Sequence, residues 1–397
     1  MTESRGINIK AFKDFFRSEQ IGGFILLGCV IISLIIANSS FEKVFHSVLS
    51  EQIGFESSAV QLKYSVEQWI NDGLMAIFFL LVGLEIKREI LEGELSSPKK
   101  AAMPIFAALG GMLVPAIVYS LFNLKTETGH GWGIPMATDI AFALAIISLL
   151  GNRVPGSLKV FLAALAIADD LGAILVIAIF YTKELHTNYL FYSAGILLIL
   201  ALLNYFKVKN LLLYLIPGLF LWYFVHHSGI HATIAGVLLA LFIPTNPVKE
   251  ISPLEKLEHI ISNPVNFFIM PLFALANTNI PFESGMIEGL SSNLGLGIIL
   301  GLFLGKPIGV TLFSWLSVKL RLSSLPSQAG WLHIIGLGML AGIGFTMSIF
   351  ISLLSFTDAT HQTEAKFAIL TASILSGISG YIFLNLLNKR RQEKELK

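Results

Sequence analysis

Two adjacent aspartates, Asp169 and Asp170, stand in Ala166-Ile167-Ala168-Asp169-Asp170-Leu171-Gly172-Ala173, with no charge from Phe161 to Ala168 or from Leu171 to Phe180. At a rise of about 1.5 Å per residue they fall near the centre of a membrane-spanning helix. An acid at that depth costs roughly 2.5–3.5 kcal/mol on insertion scales, so two in succession cannot face lipid. They must face water, a cation or a proton, and an intramembrane acid pair marks a functional site. A helix break at a headgroup surface is the alternative. It is the weaker reading, because neither flank spans alone and no turn residue precedes the pair. Burial and a like charge alongside both favour the protonated form of a carboxyl, so protons can compete there with a hard, oxygen-seeking cation.

Three further features could act with the pair. Thr138 and Asp139 follow Gly131-Trp132-Gly133-Ile134-Pro135 within one apolar stretch, and Gly336, Gly338, Gly342 and Gly344 interrupt another. Glycine and proline free backbone groups at membrane depth, which is tolerated where they line a cavity. Close helix packing is the other use of such glycines. Lys306, in Gly305-Lys306-Pro307, is the only lysine or arginine inside a span and away from its ends. Crossed broken helices bring together two N-terminal ends and, separately, two C-terminal ends, with opposite partial charges. Asp139 is placed to offset the first and Lys306 the second, and Lys306 is also a candidate salt-bridge partner for Asp169. A phosphate loop at Gly301 to Pro307 is excluded, because the spacing is one residue short and the Ser/Thr is missing. His226, His227 and His231 lack an accompanying acid or cysteine, which favours an interfacial or packing role over a metal site. Asp72 and Glu85 bracket a span, with Lys87, Arg88 and Glu89 just beyond, as a snorkelling helix end would.

The elements that must hold these residues are membrane spans. Of 397 residues, 54% are hydrophobic and only 13% charged, about half the usual charged share. A soluble chain of this balance could not cover its surface, so the fold class is an all-α polytopic membrane protein. The net charge of +1 and the absence of a basic patch interleaved with aromatics argue against nucleic acid. Cys29, the single cysteine, offers no disulfide framework. Apolar stretches of spanning length fall at 21–38, 68–86, 101–122, 132–150, 157–181, 189–205, 210–226, 229–244, 258–276, 294–317, 331–355 and 366–388, about twelve in all. The first has a secretory signal's length, but the spans behind it make it an anchor that stays.

With both termini cytoplasmic, 21 of the 27 lysines and arginines fall in or beside cytoplasmic segments, and only Lys43, Lys63, Lys125, Lys183 and Lys366 fall outside. That asymmetry is the one expected of a correctly threaded membrane protein. The chain then divides into a cytoplasmic tail (1–20), a single transmembrane domain (21–388) and a basic cytoplasmic tail (389–397). Within the domain, units 101–181 and 294–388 run in opposite senses, each with an interrupted middle helix, and helices 21–86 and 189–276 form an interface layer. This is an inverted repeat with its site between broken helices. In the long outer loop 39–66, partial alternation at Val44 to Leu49 and Val60 to Tyr64 around Gly54 predicts a β-hairpin, with an irregular loop as the alternative.

These stretches resemble the NhaA-type sodium/proton antiporters along nearly the whole chain. The resemblance rests on Trp69-Ile70-Asn71-Asp72, Val82-Gly83-Leu84-Glu85-Ile86-Lys87-Arg88-Glu89, Ala137-Thr138-Asp139-Ile140-Ala141-Phe142-Ala143 and Ala168-Asp169-Asp170-Leu171-Gly172-Ala173. It continues through Ser228-Gly229-Ile230-His231-Ala232-Thr233, Leu257-Glu258-His259, Gly305-Lys306-Pro307 and Gly342-Ile343-Gly344-Phe345-Thr346-Met347-Ser348. The inverted repeat is a known property of that family, so it is not independent support. The resemblance implies that Asp169 and Asp170 bind Na⁺ or protons, with Asp170 the more direct cation ligand. It places Thr138 and Asp139 in the unwound helix and makes Lys306 the family's essential lysine. Glu85, Arg88, Glu89, His231, Lys256 and Glu258 match positions used in pH response, although Asn263 stands where a histidine is expected.

The expected activity is thus electrogenic, pH-regulated exchange of external protons for cytoplasmic Na⁺ or Li⁺, by alternating access and without a cofactor. The resemblance also implies a bacterial inner-membrane location and a homodimer formed through loop 39–66. The chain is not expected to be an enzyme. An intramembrane aspartyl protease needs its acids on separate helices, one in a Gly-x-Gly-Asp setting, whereas here the acids are adjacent and Gly342-Ile343-Gly344 is followed by Phe345. An ion channel needs a pore-lining repeat, and none is found.

Overall fold

Inside a bilayer every backbone N–H and C=O must find its partner within the protein, which leaves helices as the answer for apolar stretches of this length. The computed structural model describes residues 9–57, 60–182, 185–245, 252–282 and 285–395. It is an all-α membrane protein. Among the described residues six helices are long and apolar enough to cross a membrane, or up to nine if each bent pair is one span. The first helix, Ile9–Ala37, begins within the stretch read as a tail, and the last, Ala359–Glu395, runs on through the other. Residues 1–8, 396 and 397, with Lys183 and Lys249, lie outside the described residues.

Two local expectations are corrected. The stretch Val44 to Leu49 is not a strand but part of the helix Glu42–Ser50. Phe45 packs on the core and Leu49 is buried, while Val44 and Val48 are exposed. The apolar contacts therefore follow the four-residue helical spacing rather than alternation. The antiparallel ladder lies further on, between Gln52–Ile53 and Tyr64–Ser65. The stretch 229–244 is helical only over Ile234–Phe242, about 14 Å of rise, less than a hydrocarbon core needs from a helix alone, so a crossing there would be completed by non-helical chain. Its front end is a turn, with Gly229 at φ +90° and the Ser228 hydroxyl donating to the Val225 carbonyl at 2.7 Å.

The helices that position the acids pack through small residues. Helix Pro98–Asn123 lies against Asn293–Lys319, with Gly297 facing Asn123, Gly305 facing Pro115 and Gly309 facing Gly110. That order makes the two antiparallel. Gly297, Gly301, Gly305 and Gly309 recur every fourth residue, one stripe along the helix that lets backbones approach closely. A Cβ at Gly309 would sit 2.0 Å from the Gly110 carbonyl oxygen, backbone that cannot yield. Gly309→Ala is therefore expected to lower stability by about 1–3 kcal/mol, the usual cost of overpacking. The check is a lower thermal midpoint for the purified variant. A π-helical turn, Gly301–Gly305, precedes Lys306; such turns insert a residue and re-aim the side chains beyond it.

Candidate functional site

Two interrupted helices cross beside the acids. In the first, Glu127–Met136 and Ile140–Leu149 meet at 43°, and in the second, Trp331–Ala341 and Phe345–Ser355 meet at 49°. Pro135 and Gly133 in the one, and Gly342 and Gly344 in the other, account for the breaks. The close approach also requires glycine, because a Cβ on Gly342 would lie 2.5 Å from the Leu302 carbonyl oxygen. The breaks are joined by backbone: Asp139 N–H donates to the Ile343 carbonyl at 2.7 Å.

Asp139 serves both second halves. Its carboxylate accepts from Phe142 N–H at 3.1 Å, capping Ile140–Leu149. It also accepts from Thr346 N–H at 3.1 Å, at the start of Phe345–Ser355, and from the Thr346 hydroxyl. One buried negative group thus faces two helix N-termini, where the backbone dipoles favour it. Ser348 donates to the Ile134 carbonyl at 2.7 Å, and Phe345 N–H to Ser373 Oγ at 3.1 Å. Sequence reasoning assigned Thr346, Ser348 and Ser373 no role. The signal available was a hydroxyl residue close behind the Gly342-Ile343-Gly344 break.

Asp169, Asp170, Thr138 and Lys306 come together at the other side of the crossing. Helix Gly156–Phe180 holds both acids buried, 1% and 3% exposed. Lys306 Nζ pairs with Asp169 Oδ2 and donates to Thr138 Oγ1 at 2.9 Å. Thr138 Oγ1 lies 2.7 Å from Asp169 Oδ2 and 2.9 Å from the Ala341 carbonyl oxygen. A hydroxyl has one proton, so it donates to only one of these at a time. Asp169 Oδ1 and Asp170 Oδ1 are buried with no hydrogen-bond partner among the described residues. Unmet oxygens of this kind are costly without a proton or a cation. Asp169 Oδ2, Thr138 Oγ1 and the Ala341 carbonyl oxygen lie in one hydrogen-bonded cluster with Lys306 Nζ, and Asp170 is within electrostatic reach of Asp169 and Lys306; oxygen donors are the chemistry a hard cation takes.

The six residues matched to pH response do not form one cluster. Arg88 Nε lies 3.1 Å from both Glu258 carboxylate oxygens, and Arg88 Nη1 lies 3.1 Å from Glu89 Oε1. Glu85 is within electrostatic reach of Arg88. Lys256 is exposed on the helix that carries Glu258 and forms no ion pair among the described residues. His231 lies elsewhere, within electrostatic reach of His226, which sits 3.9 Å from Asp72 and stacks on Trp222. From Asp72 to Arg88 is about 24 Å along the helix. Beside this group, burial first and then Tyr223 and Asp72 push the Tyr64 phenol up to about 12. Tyr64 thus stays protonated at any ordinary pH.

Known proteins are similar to this sequence along nearly its whole length. The family model described as Na⁺/H⁺ antiporter 1 matches residues 13–384. The chain is similar to the Na⁺/H⁺ antiporter NhaA 2 of Flavobacterium johnsoniae, 62% identical over 389 residues, covering 98% of this chain and 95% of that one. It is also similar to the Na⁺/H⁺ antiporter NhaA of Flavobacterium psychrophilum, 52% identical over 95% of this chain and 96% of that one. The NhaA antiporter of Helicobacter pylori is 45% identical, over 96% of this chain and 97% of its own.

Proposed function

The chain belongs to the Na⁺/H⁺ antiporter 1 family, and from that premise we propose that it moves protons inward and Na⁺ or Li⁺ outward by alternating access, with Asp169 and Asp170 as the exchange site. As a member of that family it is a multi-pass membrane transporter and not an enzyme. The observation that carries the reading is the pair of unmet, buried oxygens, Asp169 Oδ1 and Asp170 Oδ1, beside Lys306 and Thr138. A proton or a cation can complete those oxygens, but not both. Their competition for one place is what couples the two fluxes.

Asp170, with no partner on Oδ1, is the first ligand for an arriving cation. Asp169 joins by giving up Lys306, and Thr138 turns its proton to the Ala341 carbonyl so that its oxygen lone pairs face the ion. If two protons leave for each Na⁺ bound, one net charge crosses per cycle and transport is electrogenic. Because Asp139 ties both breaks, the two crossed helices reorient together. Asp139 offsets the paired N-terminal ends and Lys306 the paired C-terminal ends.

The basic-residue asymmetry supports twelve spans with both termini cytoplasmic in a bacterial inner membrane. The ladder of Gln52–Ile53 with Tyr64–Ser65 then lies on the periplasmic face and forms the contact of a homodimer. Arg88, Glu89 and Glu258, with Glu85 and Lys256 nearby, supply a cytoplasmic pH response, and His231 acts from the opposite end. The test is a proteoliposome carrying an acid-inside gradient read by a pH dye, with Na⁺, Li⁺, K⁺ and Ca²⁺ added in turn. Na⁺ and Li⁺ are expected to collapse the gradient while K⁺ and Ca²⁺ leave it. A response to K⁺ equal to that to Na⁺ would overturn the proposal.

A further inference from the structure

An apolar recess of about 480 Å³ opens on the flank of the spans, away from the acid pair. Its walls are the first helix at Leu27, the half-helix Ile140–Leu149 at Phe142 and Leu149, and the final helix from Leu370 to Ile382. Leu27, Leu149, Ile378 and Ile382 are exposed, so the recess is open to whatever surrounds the helices. Ser373 is the one polar side chain apart from Tyr381, and its hydroxyl already accepts from Phe345 N–H. Hydrocarbon is what such a lining holds.

Length and charge narrow the occupant. From Leu370 to Ile382 the final helix rises about 18 Å, close to one leaflet's half of a hydrocarbon core about 30 Å thick. The same face continues through Asn385 to Lys389, one and two turns past Ile382. Asn385 Oδ1 accepts from Arg153 Nη1 at 2.8 Å, which holds an exposed guanidinium one turn past Ile382, and the exposed Lys389 follows one turn further along the same helix. Neither the final helix from Leu370 to Lys389 nor the chain from Ile140 to Lys159 carries an acid, and on the first helix the acids before Gly23, Asp14 and Glu19, are matched in number by Lys13 and Arg17. A slot for one acyl chain with two cations past its end complements a single kind of molecule from the surroundings. We propose that this recess binds an anionic glycerophospholipid of the bilayer, its chain in the slot and its phosphate at Arg153 and Lys389.

The deep end gives the site a consequence. Of the residues that line it, Ile343 lies in the break of the second interrupted helix and Phe345 opens that helix's second half. Phe142 of the first packs edge-on against Phe345, with ring centres 5.1 Å apart. A chain tip there touches both helices one layer from Asp139, so its presence or absence bears on how they reorient.

The test uses the full chain in phosphatidylcholine vesicles doped with phosphatidylglycerol that carries a diazirine midway along one chain. After irradiation, label is expected to concentrate in peptides from 140–149 and 370–382. Neutralising both cations, Arg153→Gln with Lys389→Gln, is expected to cut labelling by about thirtyfold, since each basic residue near an anionic surface contributes roughly fivefold. Ile378→Trp, which fills the slot and leaves both charges, should displace the label equally. Labelling spread evenly over outward-facing helices such as Thr187–Tyr205, or equal labelling by a diazirine phosphatidylcholine, would overturn the proposal. Because the readout is binding, neither outcome depends on the transport reading.

Discussion

Asp170→Asn is expected to abolish Na⁺-triggered proton release from the purified protein while leaving it folded. The two halves of that expectation have separate causes. Asp170 Oδ1 has no hydrogen-bond partner among the described residues and the side chain takes part in no ion pair there, so an amide of the same shape breaks no bond. What it removes is the charge. At an effective dielectric constant of about 20, a unit charge about 4 Å from a cation contributes about 4 kcal/mol, so its loss weakens binding nearly a thousandfold. An amide also has no acidic proton to release. The measurement is the pH change of a weakly buffered detergent solution on adding NaCl. Undiminished release from the variant would reject Asp170 as the exchange residue. Asp169→Asn is a less clean test, because it also strips Lys306 of its partner.

The acids, the breaks and Lys306 were legible in the sequence because a charge or a helix breaker in an apolar run is a one-dimensional signal. What those residues touch was not. Asp139 and Thr346 are 207 positions apart, and only the crossing of two helices makes the hydroxyl and N–H of Thr346 ligands of that carboxylate. The glycine stripe from Gly297 to Gly309 has a visible period, but the helix it admits is known only from the packing at Gly110 and Pro115. The π-helical turn before Lys306 is a matter of hydrogen-bond register, which composition does not encode. Between Val44 and Leu49, helix and strand periodicities were both partly satisfied, and tertiary burial of Phe45 and Leu49 decided for helix. The stretch 229–244 shows the limit of counting apolar residues, because Ser228, Gly229 and Thr233 lie in a turn that shortens the helix. Family resemblance likewise transfers positions one by one, and so did not separate His231 from the Arg88–Glu258 pair.

Lys306→Met is expected to destabilise the protein by about 3–5 kcal/mol, the cost of leaving one member of a buried ion pair behind. Methionine keeps most of the lysine stem, so little cavity is created and the loss reports charge. Lys306 is fully buried, bonded to Asp169 and Thr138, and its removal leaves the Asp169 carboxylate with the Thr138 hydroxyl alone. The double variant Lys306→Met with Asp169→Asn separates pairing from packing. A buried pair replaced on both sides by neutral groups is often as stable as the original, so the double variant should recover most of the lost thermal midpoint. Its coupling energy then comes from a double-mutant cycle. If the double variant is as unstable as Lys306→Met alone, the lysine acts through volume and not through Asp169. Recovery of stability would mean that the fold can do without the ion pair, so that the pair is kept for something other than stability; flux in the double variant does not bear on this, because Asp169→Asn alone removes an exchange carboxylate.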